Sequence, residues 1–312
     1  MSQTVVNLLK TGVEANTTDK YRRGNLVCLP AAGSVIIAGD LHGHRHNFEW
    51  ILTFADLHNN RNRHLVLQET IHGGPQDSEG DCLSYRLLFD VVRYKLDFPN
   101  RVHIIMGNHD IAFINNKKVM RNGREMNRSM RSALDREFGQ SSPNVKLAIK
   151  QFLFSQPLAV KCDNRIWLSH SLPSDRYLGR FDQKVLYRKL RNEDVVRLGP
   201  AYLLTWGRKH SQYLLASLAK LFDVDIFILG HQPQEQGWSR VGENLIIVAS
   251  DHNHGCLLPV DLAKPYTVQE LIGSIVKLSS IVWVLKLLTT RTGNTYLVLY
   301  LPEGWGVRWG LI

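Results

Sequence analysis

The sequence contains few cysteines and no long apolar run. Its four cysteines show no CxxC spacing. Such scattered thiols are typical of a reduced protein and argue against a disulfide framework or a cysteine-rich zinc site. No uncharged apolar stretch reaches about 18 residues, so we expect no membrane span. The N-terminal segment lacks the basic and apolar regions of a signal peptide, and we therefore expect a cytoplasmic protein.

The length and the charge balance set broad limits on the function. The chain has 312 residues, of which 44% are hydrophobic and 21% charged, so it can form a large core. We expect one α/β domain with insertions or two unequal lobes. The net charge of +10 favours an anionic partner, namely a phosphorylated substrate, a nucleotide or a nucleic acid.

Six short apolar runs rich in Val, Ile and Leu predict buried strands. They are residues 34–39, 64–68, 102–107, 165–169, 224–230 and 244–250. Apolar residues three or four positions apart predict helices over 47–57, 82–96 and 211–222. The alternation of strands with helices predicts an α/β sheet with right-handed crossovers.

Each predicted strand is followed by a side chain that can bind a metal ion. In chain order these residues are Asp40, Glu69, Asn108, His170, His231 and Asp251. Because ligands bind at the carboxyl edge of open α/β sheets, we expect these side chains to converge. Oxygen and imidazole donors without thiolate favour Mn, Fe, Zn, Co or Ni. Six donors exceed the needs of one catalytic ion and predict two divalent or trivalent ions that share a carboxylate.

Four motifs resemble those of the calcineurin-like metallophosphoesterases. In order they are GDLHGH (39–44), GNHD (107–110), LSHSLP (168–173) and LGHQP (229–233). The resemblance is greatest to the branch of serine/threonine phosphoprotein phosphatases and symmetrical dinucleoside tetraphosphatases. It implies a catalytic domain over 30–262, folded as a four-layer α/β/β/α sandwich with a helical cap at 111–150. Residues 1–29 would then form an N-terminal extension.

The tail departs from the resemblance. We expect 263–312 to contain a C-terminal helix, followed by two β-prone runs around TTRTGN that predict a hairpin.

The resemblance assigns metal ligands residue by residue. Asp40 and His42 match the ligands of the first ion. Asn108, His170 and His231 match those of the second ion.

The bridging ligand falls on an unusual motif. The family's GDxxDRG motif must fall between GDLHG and GNHD, where only QETIHGG (68–74) can occupy it. The bridging aspartate is then Glu69, the second aspartate becomes His72, and the phosphate-binding arginine becomes Gly73.

The resemblance also implies an acid and a phosphate clamp. His109 matches the family histidine that protonates the leaving oxygen, so we assign it as the general acid. An aspartate normally orients that histidine, and the residue that replaces it here is His72. The orienting group is therefore either His72 or another carboxylate, Asp110 or Asp251. Arg208 lies where relatives often carry a phosphate-contacting arginine, and a guanidinium is suited to bidentate phosphate contact.

The segment after GNHD is the predicted specificity element. It is rich in Lys and Arg, and we expect Arg124, Arg128 and Arg131 to share one face of a helix that attracts a phosphopeptide or a nucleotide polyphosphate. The segment lacks interleaved aromatic residues, so nucleic acid is not the expected partner.

The leading hypothesis is a metal-dependent phosphomonoesterase in which a water bridging the two ions attacks phosphorus. Its substrate would be a phosphoprotein, a small phosphoester or a nucleotide, and a serine/threonine protein phosphatase is the branch that the motifs favour. One alternative is hydrolysis of dinucleoside polyphosphates or phosphodiesters. Another is a degenerate member that serves as a binding scaffold, an alternative that the QETIHGG segment keeps open.

Overall fold

All six predicted strands are present in the computed structural model. The structure describes residues 2–121 and 123–281, together with the backbone of 285–289, 295–299 and 309–310. The described strands are β1 Arg22–Arg23, β2 Leu26–Leu29, β3 Ser34–Asp40, β4 Arg63–Gln68, β5 Val102–Ile105, β6 Met120–Arg121, β7 Arg124–Glu125, β8 Ala159–Cys162, β9 Ile166–Ser169, β10 Ile226–Leu229, β11 Trp238–Val241, β12 Leu245–Val248, β13 Cys256–Asp261, β14 Val276–Lys277, β15 Leu285–Thr289, β16 Thr295–Leu299 and β17 Trp309–Gly310.

Two large sheets form the body of the molecule. One has the strand order β1-β2-β8-β9-β10-β12-β11, and the other has the order β14-β13-β3-β4-β5. Parallel pairing joins β3 to β4 and β4 to β5 in one sheet, and β9 to β10 and β10 to β12 in the other. The carboxyl ends of these parallel strands therefore lie together at one edge of each sheet.

Alternating side chains place the two sheets face to face. Along β3, Val35 and Ile37 are buried in one apolar cluster with residues of the opposite sheet such as Ile228. Ile36 and Ala38, which point the other way, are buried in a second cluster with helix residues. This period of two is what a strand buried on both faces requires. The result is the predicted sandwich, with helices outside two packed sheets.

Helices cover the outer faces. They are α1 Ser2–Thr17, α2 Arg45–Ala55, α3 Tyr85–Asp97, α4 Asn108–Ile114, α5 Met126–Phe138, α6 Ser142–Ser155, α7 Pro200–Trp206, α8 Gln212–Phe222 and α9 Val268–Gly273. Short 3-10 turns occupy Gly139–Ser141, Asp175–Arg180, Gln183–Leu186, Asn192–Asp194 and Leu278–Ser280. No helix among the described residues is long and apolar enough to cross a membrane.

The terminal segments add elements to this body. The N-terminal segment supplies α1, whose Leu9 is fully buried, and β2, which pairs in parallel with β8. Near the C-terminus, β15 and β16 pair antiparallel and β17 pairs with β16, whereas residues 290–294, where the turn of the predicted hairpin falls, lie outside the described residues.

The predicted cap begins with a small hairpin rather than a continuous helix. β6 and β7 pair antiparallel before α5 begins at Met126. The expectation that Arg124 shares a helical face with Arg128 and Arg131 is therefore wrong, because Arg124 lies in β7. Gly123 in the intervening turn has a φ of 75°. Such a left-handed turn residue favours a tight hairpin over a continuous helix.

Candidate metal centre and active site

The two sheets meet at their carboxyl edges, where the candidate site lies. A parallel bridge joins Asp40, at the end of β3, to Ala249, just after β12. The backbone N–H of Ser250 donates to the carbonyl of Asp40 at 3.2 Å, and its hydroxyl accepts from the N–H of Gly39 at 2.9 Å. These bonds fix the ends of strands from different sheets against each other.

The backbone of the site is strained at four side chains. His42, Glu69, His72 and His231 have φ values of 42°, 46°, 68° and 69°, all in the left-handed region. Residues other than glycine adopt this backbone region at a cost on the order of 1 kcal/mol or more each. All four residues were singled out from the motifs. Backbone strain at several residues of one cluster is typical of functional sites, where the position of a side chain matters more than the conformational energy of its own backbone.

Three donor atoms converge on one point. The Oδ1 atom of Asn108 lies 2.7 Å from Nε2 of His170 and 2.8 Å from Nδ1 of His231. The two imidazole nitrogens are 3.1 Å apart. The other nitrogen of His170 faces Oε1 of Gln68 at 2.9 Å, which holds the ring in place. This set contains the three residues predicted to bind the second ion.

Asp40 and His42, the predicted ligands of the first ion, lie beside these three residues. The Nδ1 atom of His42 donates to the carbonyl of Ile71 at 3.1 Å, which leaves Nε2 as the free donor atom for a metal. Nε2 lies 3.6 Å from Oδ2 of Asp40. Both Asp40 oxygens accept from the backbone N–H of His231 at 3.1 Å. That contact joins the two predicted ligand sets.

Glu69 lies between the two sets. Its Oε1 atom is 3.6 Å from Nε2 of His170, and its Oε2 atom is 4.0 Å from Nδ1 of His42. One donor atom from each of His42, Glu69 and His109 lies within 4.8 Å of the others, a spacing that can hold a metal ion. The space for the carboxylate exists because residue 107 is glycine. A Cβ atom at Gly107 would lie 1.7 Å from Oε1.

The electrostatics of the cluster favour a bound cation. Burial raises the pKa of Asp40 well above its usual range, with the charge of Glu69 adding to it, and burial raises the pKa of Glu69 to about 8. Burial also lowers the pKa of His170 and of His231. Buried polar atoms without a hydrogen-bond partner among the described residues include Oε2 of Glu69 and Nε2 of His231.

Buried carboxylates and neutral imidazoles with unsatisfied atoms are the environment that a metal ion stabilises. The donor set therefore fits one or more divalent ions.

His72 does not hydrogen-bond to His109. Its Nε2 atom pairs with Oδ1 of Asn127 at 2.7 Å, and its ring centroid lies 5.0 Å from that of His109 at a tilted angle. His72 is fully buried, and its Nδ1 atom has no hydrogen-bond partner among the described residues. The structure thus places His72 beside His109, packed rather than bonded.

The carboxylate nearest His109 is Glu69. Its Oε2 atom lies 3.1 Å from Nδ1 of the imidazole. Asp110 instead accepts from the backbone N–H of Gly107 at 2.9 Å, and Asp251 pairs with Arg121 at 3.1 Å. None of the three groups considered from the sequence hydrogen-bonds to His109. The motifs predict Glu69 only as a metal ligand, so its contact with His109 was not predicted.

Arg121 lies where the motif arginine is absent. A Cβ atom at Gly73 would lie 2.4 Å from the carbonyl of His42, so no side chain fits there without a backbone shift. The Nη1 atom of Arg121 lies 3.2 Å from that Cβ position and donates to the carbonyl of His72 at 3.1 Å. Arg121 belongs to the basic segment predicted to attract an anionic substrate, but its approach to this site was not predicted, because it depends on the fold of the β6–β7 hairpin.

The charge of Arg121 acts across the whole cluster. It lowers the pKa of Asp40, Glu69 and His42, in each case behind larger effects of burial. The positive charge of its guanidinium therefore acts on three of the predicted metal ligands.

Arg208 acts on the site through its charge. It follows α7 and its side chain is exposed. After burial, its charge is the next cause that lowers the pKa of His231, and it also lowers the pKa of His170. The pKa of His109 is lowered to about 3 by burial, then by Arg121 and by Arg208. Two guanidinium groups thus act on the same imidazole.

Comparison with known proteins gives a consistent result. A family model described as calcineurin-like phosphoesterase matches residues 33–235. A serine/threonine-protein phosphatase of Caenorhabditis elegans is 22% identical over 232 residues, which cover 70% of this chain and 47% of that protein. The chain thus spans about half the length of this curated relative.

Solved structures share the fold. A protein serine/threonine phosphatase from Saccharomyces cerevisiae superposes with a TM-score of 0.58 at 14% identity, over 83% of this chain and 82% of that one. A cold-active protein-tyrosine phosphatase from a psychrophilic Shewanella superposes with a TM-score of 0.55 at 18% identity, over 76% and 77%. At these identities the likeness concerns the fold alone.

Proposed function

Because this chain belongs to the calcineurin-like phosphoesterase family, we propose that it is a metal-dependent hydrolase of phosphate monoesters, including phosphorylated protein side chains. The observation that carries the proposal is the convergence of Asn108, His170 and His231 within 3.1 Å of one another, next to two buried carboxylates. Neutral imidazoles and carboxylates packed in this way lack the counter-charge that a cation would supply.

We propose that the site holds two divalent ions, with manganese as the first to test. Asp40 and His42 would bind one ion, and Asn108, His170 and His231 would bind the other. Glu69 would contribute to the binding of both ions. When bound, such ions supply positive charge against the phosphoryl oxygens and lower the pKa of an attacking water. We also propose a cytoplasmic location, which the four unpaired cysteines support.

The residues around the ions would position the substrate. Arg208 and Arg121, whose charges both act on His109, would offer N–H donors for the phosphoryl oxygens. Their position suits a group on which negative charge is concentrated in the transition state.

His109 would hold the proton for the leaving oxygen on Nε2, the ring nitrogen not turned toward Glu69. The two arginines lower the pKa of His109. A phosphate dianion bound near both groups would offset their charge and therefore raise the pKa of the imidazole. Substrate binding would thus favour the protonated form that acid catalysis needs.

A binding scaffold without catalysis is the second candidate, and the residues at two motif positions favour it. His72 and Gly73 stand where the family carries an aspartate and an arginine. Against it, Arg121 brings a guanidinium to within 3.2 Å of the Cβ position of Gly73.

One experiment separates these candidates. We would measure bound metal in the purified protein and then compare hydrolysis of a phosphomonoester, a phosphodiester and a dinucleoside polyphosphate with added Mn²⁺. We expect the monoester to be hydrolysed fastest and Glu69→Gln to reduce both metal content and rate, whereas exposed Glu79→Gln changes neither. A wild-type protein that binds no metal and hydrolyses none of the three substrates would leave the scaffold as the remaining candidate.

A further inference from the structure

A cavity of about 320 Å³ opens beside the metal centre. Its lining includes the backbone turn of Gly73 and Gly74, the side chain of Cys82 and the two arginines of the β6–β7 hairpin, Arg121 and Arg124. Gly73 packs against the carbonyl of His42, a predicted metal ligand, so the cavity adjoins the predicted metal centre. The cavity therefore lies next to the proposed position of the phosphoryl group.

The two arginines of this cavity face each other. Arg121 and Arg124 are direct partners in the antiparallel register, so their side chains leave the hairpin on the same face. Like charges directly opposite each other across a strand pair are destabilising unless an anion lies between them. Asp251 pairs with Arg121 at 3.1 Å. Arg124 makes no ion pair or side-chain hydrogen bond with any residue that the structure describes.

The guanidinium of Arg124 lies against a neighbouring loop without an ion pair to that loop. A Cβ atom at Gly80 would lie 2.6 Å from its Nη1 atom, so the guanidinium rests on the backbone of that loop. Two acidic residues of the same loop, Asp77 and Asp81, are engaged by Arg136 at 2.5 Å each. Arg124 thus lines the cavity while the carboxylates of Asp77 and Asp81 bind another arginine.

We propose that this cavity binds a second anionic group of the substrate, which would be a phosphoester whose alcohol part carries a further phosphate or a carboxylate. This inference rests on the proposed function, since it assumes that the reacting phosphate sits at the metal centre. Arg121 contacts the region between the two anions, and Arg124 contacts the outer one. A guanidinium suits both phosphate and carboxylate because its donors match either group in a bidentate geometry.

Matched pairs of substrates test the proposal. Glycerol 3-phosphate and 3-phosphoglycerate differ by a carboxylate, and fructose 6-phosphate and fructose 1,6-bisphosphate differ by a distant phosphate. With Mn²⁺ present, we expect the more anionic member of at least one pair to have a kcat/KM about tenfold higher or more, as one charged hydrogen bond supplies. Arg124→Ala should abolish this ratio while leaving hydrolysis of the less anionic member unchanged.

Arg128→Ala is the matched control. It removes one positive charge from the adjacent helix, where Arg128 is exposed and lies outside this cavity. It should preserve the ratio. Wild-type protein that hydrolyses both members of each pair equally overturns the second-anion site alone. Equal effects of Arg124→Ala and Arg128→Ala overturn it as well. A wild-type protein that hydrolyses no phosphoester overturns the proposed function itself.

Discussion

Glu69 contacts both the backbone and the ring of His109. Its Oε1 atom accepts from the backbone N–H at 3.0 Å, and its Oε2 atom lies 3.1 Å from Nδ1 of the imidazole. The carboxylate that lies among the predicted metal ligands therefore also faces the proposed proton donor. Any change in the position of Glu69 is expected to alter metal binding and proton transfer together.

Substitution of His109 tests whether it donates a proton or binds metal. If it is the general acid, His109→Gln should lower kcat by about 100-fold or more for an alkyl phosphate, with unchanged metal content. The loss should be much smaller for p-nitrophenyl phosphate, because its leaving group departs without a proton. Steady-state kinetics on both substrates and metal analysis provide the measurement. Equal losses on both substrates together with a fall in bound metal would assign His109 to the metal instead.

The two guanidinium groups should affect substrate binding separately. We expect Arg208→Ala and Arg121→Ala each to raise KM for a phosphomonoester by about tenfold or more, since each removes a charged hydrogen bond to phosphate. The apparent affinity for inorganic phosphate as an inhibitor should fall in parallel. Lys209→Ala, on the exposed residue next to Arg208, is the control and should leave both values unchanged. An unchanged KM would remove the substituted arginine from the phosphate site.

The stability of the metal-free protein should depend on Glu69 through pH. Burial raises the pKa of this carboxyl to about 8 in the folded protein, whereas its ordinary value is 4.5. Between these values the unfolded chain has released a proton that the folded protein retains, so stability falls as pH rises. The contribution reaches about 1.4 kcal/mol per pH unit.

Chemical denaturation of the chelator-treated protein and of Glu69→Gln measures this contribution. The unfolding free energy of the wild-type protein should fall relative to that of Glu69→Gln as pH rises from 5 to 8, roughly over the window between the two pKa values. The buried histidines titrate in both proteins and largely cancel in the difference. A difference that stays constant with pH would show that Glu69 ionises normally in the folded protein. Saturating metal should reverse the trend, because it stabilises the charged carboxylate.

Metal binding should require that residue 107 has no side chain. The φ of Gly107 is −108°, which alanine adopts freely, so the cost of Gly107→Ala is the contact of its methyl group with the Glu69 carboxylate. We expect a loss of metal affinity and activity of about tenfold or more, with a smaller effect on folding. Isothermal titration with Mn²⁺ provides the measurement.

Two further variants sharpen this test. Gly179→Ala is the control, since a Cβ atom there meets nothing within 4 Å among the described residues. Gly107→Ala combined with Glu69→Asp should recover part of the metal affinity, because the shorter carboxylate withdraws from the added methyl group. A double variant no better than Gly107→Ala alone would point to a backbone effect instead.

The sequence predicted the strands well because their signal is local. Each core strand is a short apolar run rich in Val, Ile and Leu, such as residues 226–229, buried on both faces. The polar residue after each strand was predicted to converge with the others, and the carboxyl edges of the two sheets do meet at Asp40 and Ala249. The exception is Asp251, which follows β12 but pairs with Arg121 of the hairpin.

Features that depend on distant contacts were not predicted. The motif shows the glycine at position 73, but the approach of Arg121 to it also requires the turn at Gly123, which no motif shows. Helix α1 was also not predicted, although its signal is local. Val5 and Leu9 have the four-residue spacing of a buried helical face, so that helix could have been predicted from its pattern.

A buried ion pair joins the N-terminal segment to the body and should contribute strongly to stability. Asp19 and Lys95 have side chains that are 2% and 1% exposed, and their charged atoms are 3.1 Å apart. Nδ1 of His103 lies 3.0 Å from the same carboxylate oxygen. Asp19→Asn leaves the Lys95 charge buried without a counter-ion, which costs about 3–5 kcal/mol.

Denaturant titration at saturating metal measures this cost against matched variants. Asp223→Asn breaks an exposed pair with Arg165, in which Asp223 is 73% exposed, and should cost less than about 1 kcal/mol. Asp19→Asn combined with Lys95→Met removes the unpaired charge, and should therefore recover much of the lost stability. If Asp19→Asn cost no more than Asp223→Asn, the buried pair would not be what holds the N-terminal segment. Metal content should be the same in all four proteins, because the pair lies outside the predicted ligand set.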